Sequence, residues 1–236
     1  LYTVDFMKEI IAGRSADIAG ITLAKGDRLK IGKKRSKKEY LFSLLLIMGL
    51  RTYVWSVAKT LIFKLKKKIN PKTGLRAFAE KYNIAVSYTN NPNSKEFLDM
   101  LRSNEIDVII NQSQFIIKKP FLESAKLGVL NRHNALLPRN RGRLTPFWVL
   151  YHREKESGVS IHFVDEGIDS GVIVVQKRFS VPKNANFKKI VSINYSLAGA
   201  AMLEAIDKLE KGDKNFIANP DEDATYNTIP TLSEAW

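Results

Sequence analysis

Asn131 and His133 stand two residues apart, and Asp169 follows the histidine by 36 positions (169 minus 133). Their types suit one task. An amide N–H can hold an oxyanion, an imidazole can hold the same oxyanion or move a proton, and a carboxylate can orient the imidazole; together they can transfer an acyl group. On an extended chain Asn131 and His133 project to one side and Arg132 to the other. Singly, each has an ordinary structural use: Asn131 as a turn cap, His133 as a satisfied buried histidine, Asp169 as an Asx-turn before Ser170-Gly171.

The elements that must position them can be read from pattern. Gly128-Val129-Leu130 is a short apolar strand that turns polar at Asn131, and Pro138 and Gly142 mark the loop beyond it. The carboxyl end of a buried strand is where open α/β sheets build their sites. Downstream, Val159, Ile161 and Phe163 alternate as a strand, a loop carries Asp169, and Val172 to Val175 begin another strand. His162 alternates away from that apolar set and reads as structural; His152, beside Arg153, reads as exposed.

Asn131-x-His133, with Leu136-Leu137-Pro138-Arg139-x-Arg141-Gly142 and then Asp169-Ser170-Gly171, resembles the folate-dependent formyltransferases. That family includes glycinamide ribonucleotide, methionyl-tRNA and nucleotide-sugar formyltransferases. The likeness runs well from roughly Ile84 to Val181 and more loosely elsewhere. It implies N10-formyltetrahydrofolate as co-substrate and an amine acceptor. It also implies that Asn131 and His133 stabilise the oxyanion, while Asp169 orients His133 and, through water, helps remove the amine proton. The family's pterin-binding loop falls on Gln114, Phe115, Ile116 and Ile117, with Ala135, Leu136, Leu137, Pro138 and Asp165 as further cofactor-binding candidates. Read by composition alone, Phe115-Ile116-Ile117 is equally a packing cluster at a helix start. Ala135 stands where many relatives have serine, and Asn134 and Asn140 depart from common choices.

The acceptor suggested by the resemblance is an amino sugar, nucleotide- or lipid-linked, in glycan biosynthesis. Methionyl-tRNA enzymes of the family carry an additional β-barrel, and 67 residues follow Asp169 (236 minus 169). A methionyl-tRNA or purine-intermediate acceptor is the alternative within the class. A non-catalytic binding module is the alternative outside it, and loss of any of the three site residues would have signalled that reading.

The 236 residues, 44% hydrophobic, suffice for one domain over 1–236 with a core that needs neither disulfide nor metal. Absence of cysteine fits a reducing compartment and excludes thiol catalysis and Cys-ligated metal. Three histidines cannot build a His-rich site, so no metal is predicted. Predicted helices at Thr3–Ile11, Gly74–Tyr82, Ser94–Ser103, Lys119–Ser124, Thr145–Tyr151 and Asn186–Lys211 alternate with strands at Ala16–Leu23, Ile84–Tyr88 and Ile106–Asn111 and those named above. That rhythm predicts an α/β, doubly wound, mostly parallel sheet of Rossmann-like type. The chain opens on a helix, and the family normally places a strand before it, so the first strand is expected to be missing.

An insertion at about 30–72 departs from the family pattern. From Lys25 to Lys72 there are 15 Lys/Arg against Asp27 and Glu39, a net of +13 of the chain's +14. Apolar runs lie inside it, from Tyr40 to Leu50, from Thr52 to Ala58 and from Leu61 to Phe63, none reaching the roughly 18 uncharged residues of a spanning helix. One reading is a helix pair, 40–63, lying on an anionic membrane surface, which would place the protein in the cytoplasm or peripherally on the inner membrane face. The plainer reading packs the apolar face on its own domain or in a homodimer. Aromatics are not interleaved with the basic runs as on stacking surfaces, which argues against nucleic acid.

Overall fold

The computed structural model of the chain describes residues 2–25, 37–69, 74–113 and 115–235. Helix α1 (Tyr2–Arg14) leads through a 3-10 turn, Ser15–Asp17, into strand β1 (Ile21–Ala24). The strand predicted from Ala16 is therefore shorter. Arg14 takes up the first part, pairing with Asp17 at 3.1 Å and with Asp207 and Glu210 across the helix layer.

Helices α2 (Lys37–Met48), α3 (Leu50–Ile69) and α4 (Leu75–Lys81) precede β2 (Val86–Thr89). Helix α5 (Lys95–Ser103) starts where Ser94 accepts the Phe97 N–H, and β3 (Val108–Ile110) and α6 (Lys119–Leu122) follow. Strand β4 (Gly128–His133) runs through both polar residues instead of stopping before them. Then come β5 (Arg141–Gly142), α7 (Thr145–Tyr151), β6 (Glu156–Phe163) and β7 (Ile173–Ser180). The chain closes with α8 (Phe187–Glu210), capped by Asn186, then β8 (Tyr226–Asn227) and α9 (Leu232–Ala235).

The fold is α/β. Among the described residues three of the five strand pairings are parallel, β1–β2, β3–β4 and β5–β8, while β6 runs antiparallel to both β4 and β7. Alternation along Val159–Phe163 carried no direction. The turn between β6 and β7 is too short for a parallel crossover, which takes a dozen residues or more.

Strand β4 separates two cores. Leu130 faces Phe6 and Ile10 of α1 and the small residues Ala198, Ala201 and Ala205 of α8, whose lack of bulk lets that helix lie close on the sheet. Val129 faces Leu98, Leu101 and Phe121 of α5 and α6. Burying each such large apolar side chain contributes about 1.5–3 kcal/mol. Alternation then sends Arg132 to the α1/α8 side and Asn131 and His133 to the other.

The β1–β2 pair is separate from the four-stranded sheet β3–β4–β6–β7. Between them opens a cavity of about 1700 Å³, lined by Ile18 to Ala24 on one side and Glu105 to Ser113 on the other. Ile21 and Lys25 donate to Ala85 and Thr89, and Asn111 donates to Leu130, so alternation points the N–H groups of Thr22, Ala24, Val108 and Ile110 at the cavity. Among the described residues no strand pairs with either edge. Helices α2 and α3 occupy the described part of the basic block beyond Lys25, and residues 26–36 and 70–72 of it lie outside the described residues.

Candidate active site

The Asn131 side chain is fixed from one end. Gln112, just past β3, donates through Nε2 to Asn131 Oδ1 at 2.9 Å. The oxygen is occupied, so the Nδ2 hydrogens are the free donors. One is aimed at His162 Nε2 at 3.4 Å. Gln112 Oε1 in turn accepts from Arg132 Nε at 3.1 Å, which links the two faces of the sheet through one amide.

His133 is buried, and its two ring nitrogens meet different partners. Nε2 lies 2.7 Å from the carbonyl oxygen of Asn140, a group that can only accept. Nε2 therefore carries the proton. Nδ1 faces Asp169 Oδ2 at 3.3 Å. Burial holds the His133 pKa below its ordinary value, against the pull of the Asp169 charge. Asp169 is held well below the usual carboxylate range: burial acts the other way, but the His133 and His162 rings and the Gly142 N–H outweigh it. The contact between Nδ1 and the Asp169 carboxylate is thus where a proton entering this pair would be shared.

Asp169 is positioned by backbone. It sits at φ +51°, a left-handed conformation that Asp tolerates better than most residues. Gly142 donates its N–H to Oδ2 at 2.8 Å. Gly142 itself has φ +101°, and a Cβ there would stand 2.1 Å from the Asn227 carbonyl oxygen, so only glycine fits. Asn219 donates to the carbonyls of Asp169 and Gly171 at 2.9 and 2.8 Å. Buried Arg141 binds Asn219, Asp221 and Tyr226. The carboxyl-terminal segment therefore ties down the loop that presents the carboxylate.

His162, which the sequence assigns a structural role, belongs to this cluster: it pairs directly across from Asn131 in the antiparallel β4–β6 ladder. A register irregularity between Ile161 and His162 re-aims the ring, a common use of bulges beside sites. Its Nε2 lies 3.5 Å from Asp169 Oδ1, and its Nδ1–H donates to the Phe163 carbonyl. The parity that separates it from Val159, Ile161 and Phe163 turns it toward Asn131; without the strand direction that parity had no reference.

The cofactor candidates divide. Phe115 is half-buried and Ile116 is 70% exposed, so both offer surface to a ligand. Leu136 and Pro138 are half-buried. Ile117, Ala135 and Leu137 do not offer it: Ile117 packs with Leu98 and Phe121, and Ala135 and Leu137 lie beneath the turn after β4. Ser160 donates to the Ala135 carbonyl and accepts from the Leu137 N–H, and Gln176 donates to the Leu137 carbonyl, pinning that turn to the sheet. Asp165 is exposed and spends its Oδ1 on Gly167 N–H and Ser170 Oγ, closing its own loop. Gln114 lies outside the described residues.

Known proteins resemble the chain at this stretch. A family model described as formyl transferase matches residues 46–206. A methionyl-tRNA formyltransferase of Syntrophomonas wolfei is 30% identical over 163 residues, 68% of this chain and 51% of that protein. A GDP-perosamine N-formyltransferase of Brucella melitensis is 34% identical over 148 residues, 62% of this chain and 57% of that protein. The chain spans about half the length of the curated relatives it matches. Among solved structures, glycinamide ribonucleotide transformylase 1 from Symbiobacterium toebii superposes with a TM-score of 0.55 at 15% identity, over 82% of this chain and 87% of that one. An N-formyltransferase from Helicobacter canadensis, solved with folinic acid and dTDP-3-aminofucose, superposes with a TM-score of 0.52 at 21% identity, over 66% and 54%. These likenesses show a common fold.

Proposed function

The chain belongs to the formyl transferase family, matched over residues 46–206, and from that premise we propose that it transfers the formyl group of N10-formyltetrahydrofolate to the amine of an amino sugar in glycan biosynthesis. The observation that carries this reading is the meeting of Asn131, His133 and Asp169, from two separate chain segments, with His133 Nδ1 at 3.3 Å from the carboxylate. The proposed unit is a single domain over 1–236, interrupted by the basic insertion at about 30–72.

In the proposed reaction the neutral acceptor amine attacks the formyl carbon and a C–N bond forms. The carbonyl oxygen becomes an oxyanion, which Asn131 Nδ2–H holds; such a donor is typically worth ~3 kcal/mol in the transition state. The expectation that His133 also holds the oxyanion is revised, because its Nε2–H is already given to Asn140. The amine proton passes, through water, to the His133–Asp169 pair, where the carboxylate and Nδ1 lie 3.3 Å apart and can share it. The bond to N10 then breaks, N10 takes up the proton held by the His133–Asp169 pair, and the N-formylated acceptor and tetrahydrofolate leave. Phe115 and Ile116 supply apolar surface for the flat pterin.

The GDP-perosamine enzyme, at 34% identity, supports a sugar acceptor. The methionyl-tRNA enzyme, at 30% over a longer stretch, favours methionyl-tRNA as the second reading. The test is a formyl-transfer assay with N10-formyltetrahydrofolate against GDP-perosamine, dTDP-3-aminofucose, methionyl-tRNA and glycinamide ribonucleotide, following the folate product and the N-formylated acceptor. Turnover with a sugar nucleotide is expected. Turnover with methionyl-tRNA alone would replace the acceptor, and no transfer to any amine would leave a binding module.

A further inference from the structure

Helix α3 carries an apolar stripe that the protein leaves uncovered. Leu50, Val54, Val57, Leu61 and Leu65 are all exposed, at 41–70%, and at 3.6 residues per turn they fall within an arc of roughly 80°. Ile62 and Trp55, also exposed, widen the arc on one side. The opposite face, with Tyr53, Ser56 and Phe63, is half-buried, and α3 packs chiefly on α2. Helix α2 packs in turn on α9 and α8, which ties the insertion to the rest of the chain through α2.

The polar residues on α3 do not break the stripe. Ser56 and Thr60 give their hydroxyl hydrogens to the helix's own carbonyls, at Thr52 and Ser56. Lys64 edges it on one side and Lys59 and Lys66 on the other, with Lys59 Nζ 4.0 Å from the Trp55 ring centre, while Arg51 falls within the widened arc at the amino-terminal end of the helix. From Leu50 to Ile69 there is no Asp or Glu.

We propose that α3 lies flat in the headgroup region of an anionic bilayer, with the Leu50–Leu65 stripe in the acyl boundary and the flanking lysines on lipid phosphates. A long apolar stripe rimmed by cations and an interfacial tryptophan is the composition of helices that lie on membranes. Among the described residues no helix is long and apolar enough to cross one, so the helix lies on the surface. A second copy of the chain fits this face poorly, since it would bring two sets of lysines together with no carboxylate on either helix. An anionic surface supplies the missing charge. This inference does not depend on formyl transfer, because lipid binding is read without substrates.

The test is co-sedimentation of the full chain with phosphatidylglycerol/phosphatidylcholine vesicles and with phosphatidylcholine alone, from low to high salt, alongside Trp55 fluorescence. Binding to the anionic vesicles is expected, weakening but not vanishing as salt rises, with a blue shift that Trp55→Phe abolishes. Lys59→Ala, Lys64→Ala and Lys66→Ala should each weaken it roughly five-fold. Leu61→Glu/Leu65→Glu should abolish it while circular dichroism and formyl transfer stay unchanged, since both side chains are exposed. Three results would overturn the proposal: no binding to anionic vesicles at low salt; binding that survives Leu61→Glu/Leu65→Glu; or a stable dimer in sedimentation velocity that the same double variant dissociates.

Discussion

Gln112 occupies the oxygen of Asn131 and leaves its N–H groups as donors, so truncation removes a preset dipole instead of a loose contact. Asn131→Ala is expected to lower kcat by about 100-fold or more, the worth of one oxyanion donor, with KM for the folate little changed; steady-state formyl-transfer kinetics check it. The ring at His133 also makes the protein's stability depend on pH. Burial keeps its folded pKa below the ordinary 6.5, so the unfolded chain takes up a proton that the fold resists. The stability owed to the neutral ring is complete above 6.5 and is lost as pH falls toward the lower folded value. Asp169, also depressed, loses its contribution only as pH falls from about its ordinary 3.8. Melting temperatures between pH 8 and 5 should therefore fall below pH 6.5, and His133→Asn should flatten that slope.

At the scale of elements, the two-residue pairing of β5 with β8 sets the carboxylate. Gly142→Ala would drive a Cβ to 2.1 Å from the Asn227 carbonyl oxygen at φ +101°. The pairing must open, withdrawing the Gly142 N–H from Asp169. A loss of roughly 2–4 kcal/mol is expected, together with a clear fall in activity. Gly212, at φ +67° with nothing within 4 Å of a Cβ, is the control. Gly212→Ala should cost only the backbone strain of about 1–2 kcal/mol and leave turnover intact. Parallel thermal melts and assays of the two variants separate steric closure at the site from strain alone.

For the molecule as a whole, the separation of β1–β2 from the four-stranded sheet leaves two strand edges facing one cavity. Amide hydrogen exchange should report it. Thr22, Ala24, Val108 and Ile110 should exchange much faster than their neighbours Ile21, Lys25 and Asn111, whose N–H groups are bonded across the pairs. Equal protection on both sides of each strand would mean that the edges are paired in solution.

Residue types and short-range periodicity were enough to determine the α/β class and most of the helices and strands, and with the family resemblance they point to Asn131, His133 and Asp169, which the fold brings together. The Ser94 and Asn186 caps and the alternation at Val129–Leu130 are local, and locality is what a sequence displays. The strand ending at Ala24 starts only at Ile21, because Ser15–Asp17 form a 3-10 turn beside Arg14, whose partners lie as far away as Glu210. The place of His162 beside Asn131 is not legible locally, because the direction of the β4–β6 pairing is set by long-range packing. Nothing local to Ala135 and Leu137 says that Ser160 and Gln176 fold their turn inward, away from a ligand. The proton on His133 was decided by a carbonyl seven residues away that a loop returns to the ring: Asn140 can only accept, so Nε2 must donate, and Nδ1 is left to Asp169.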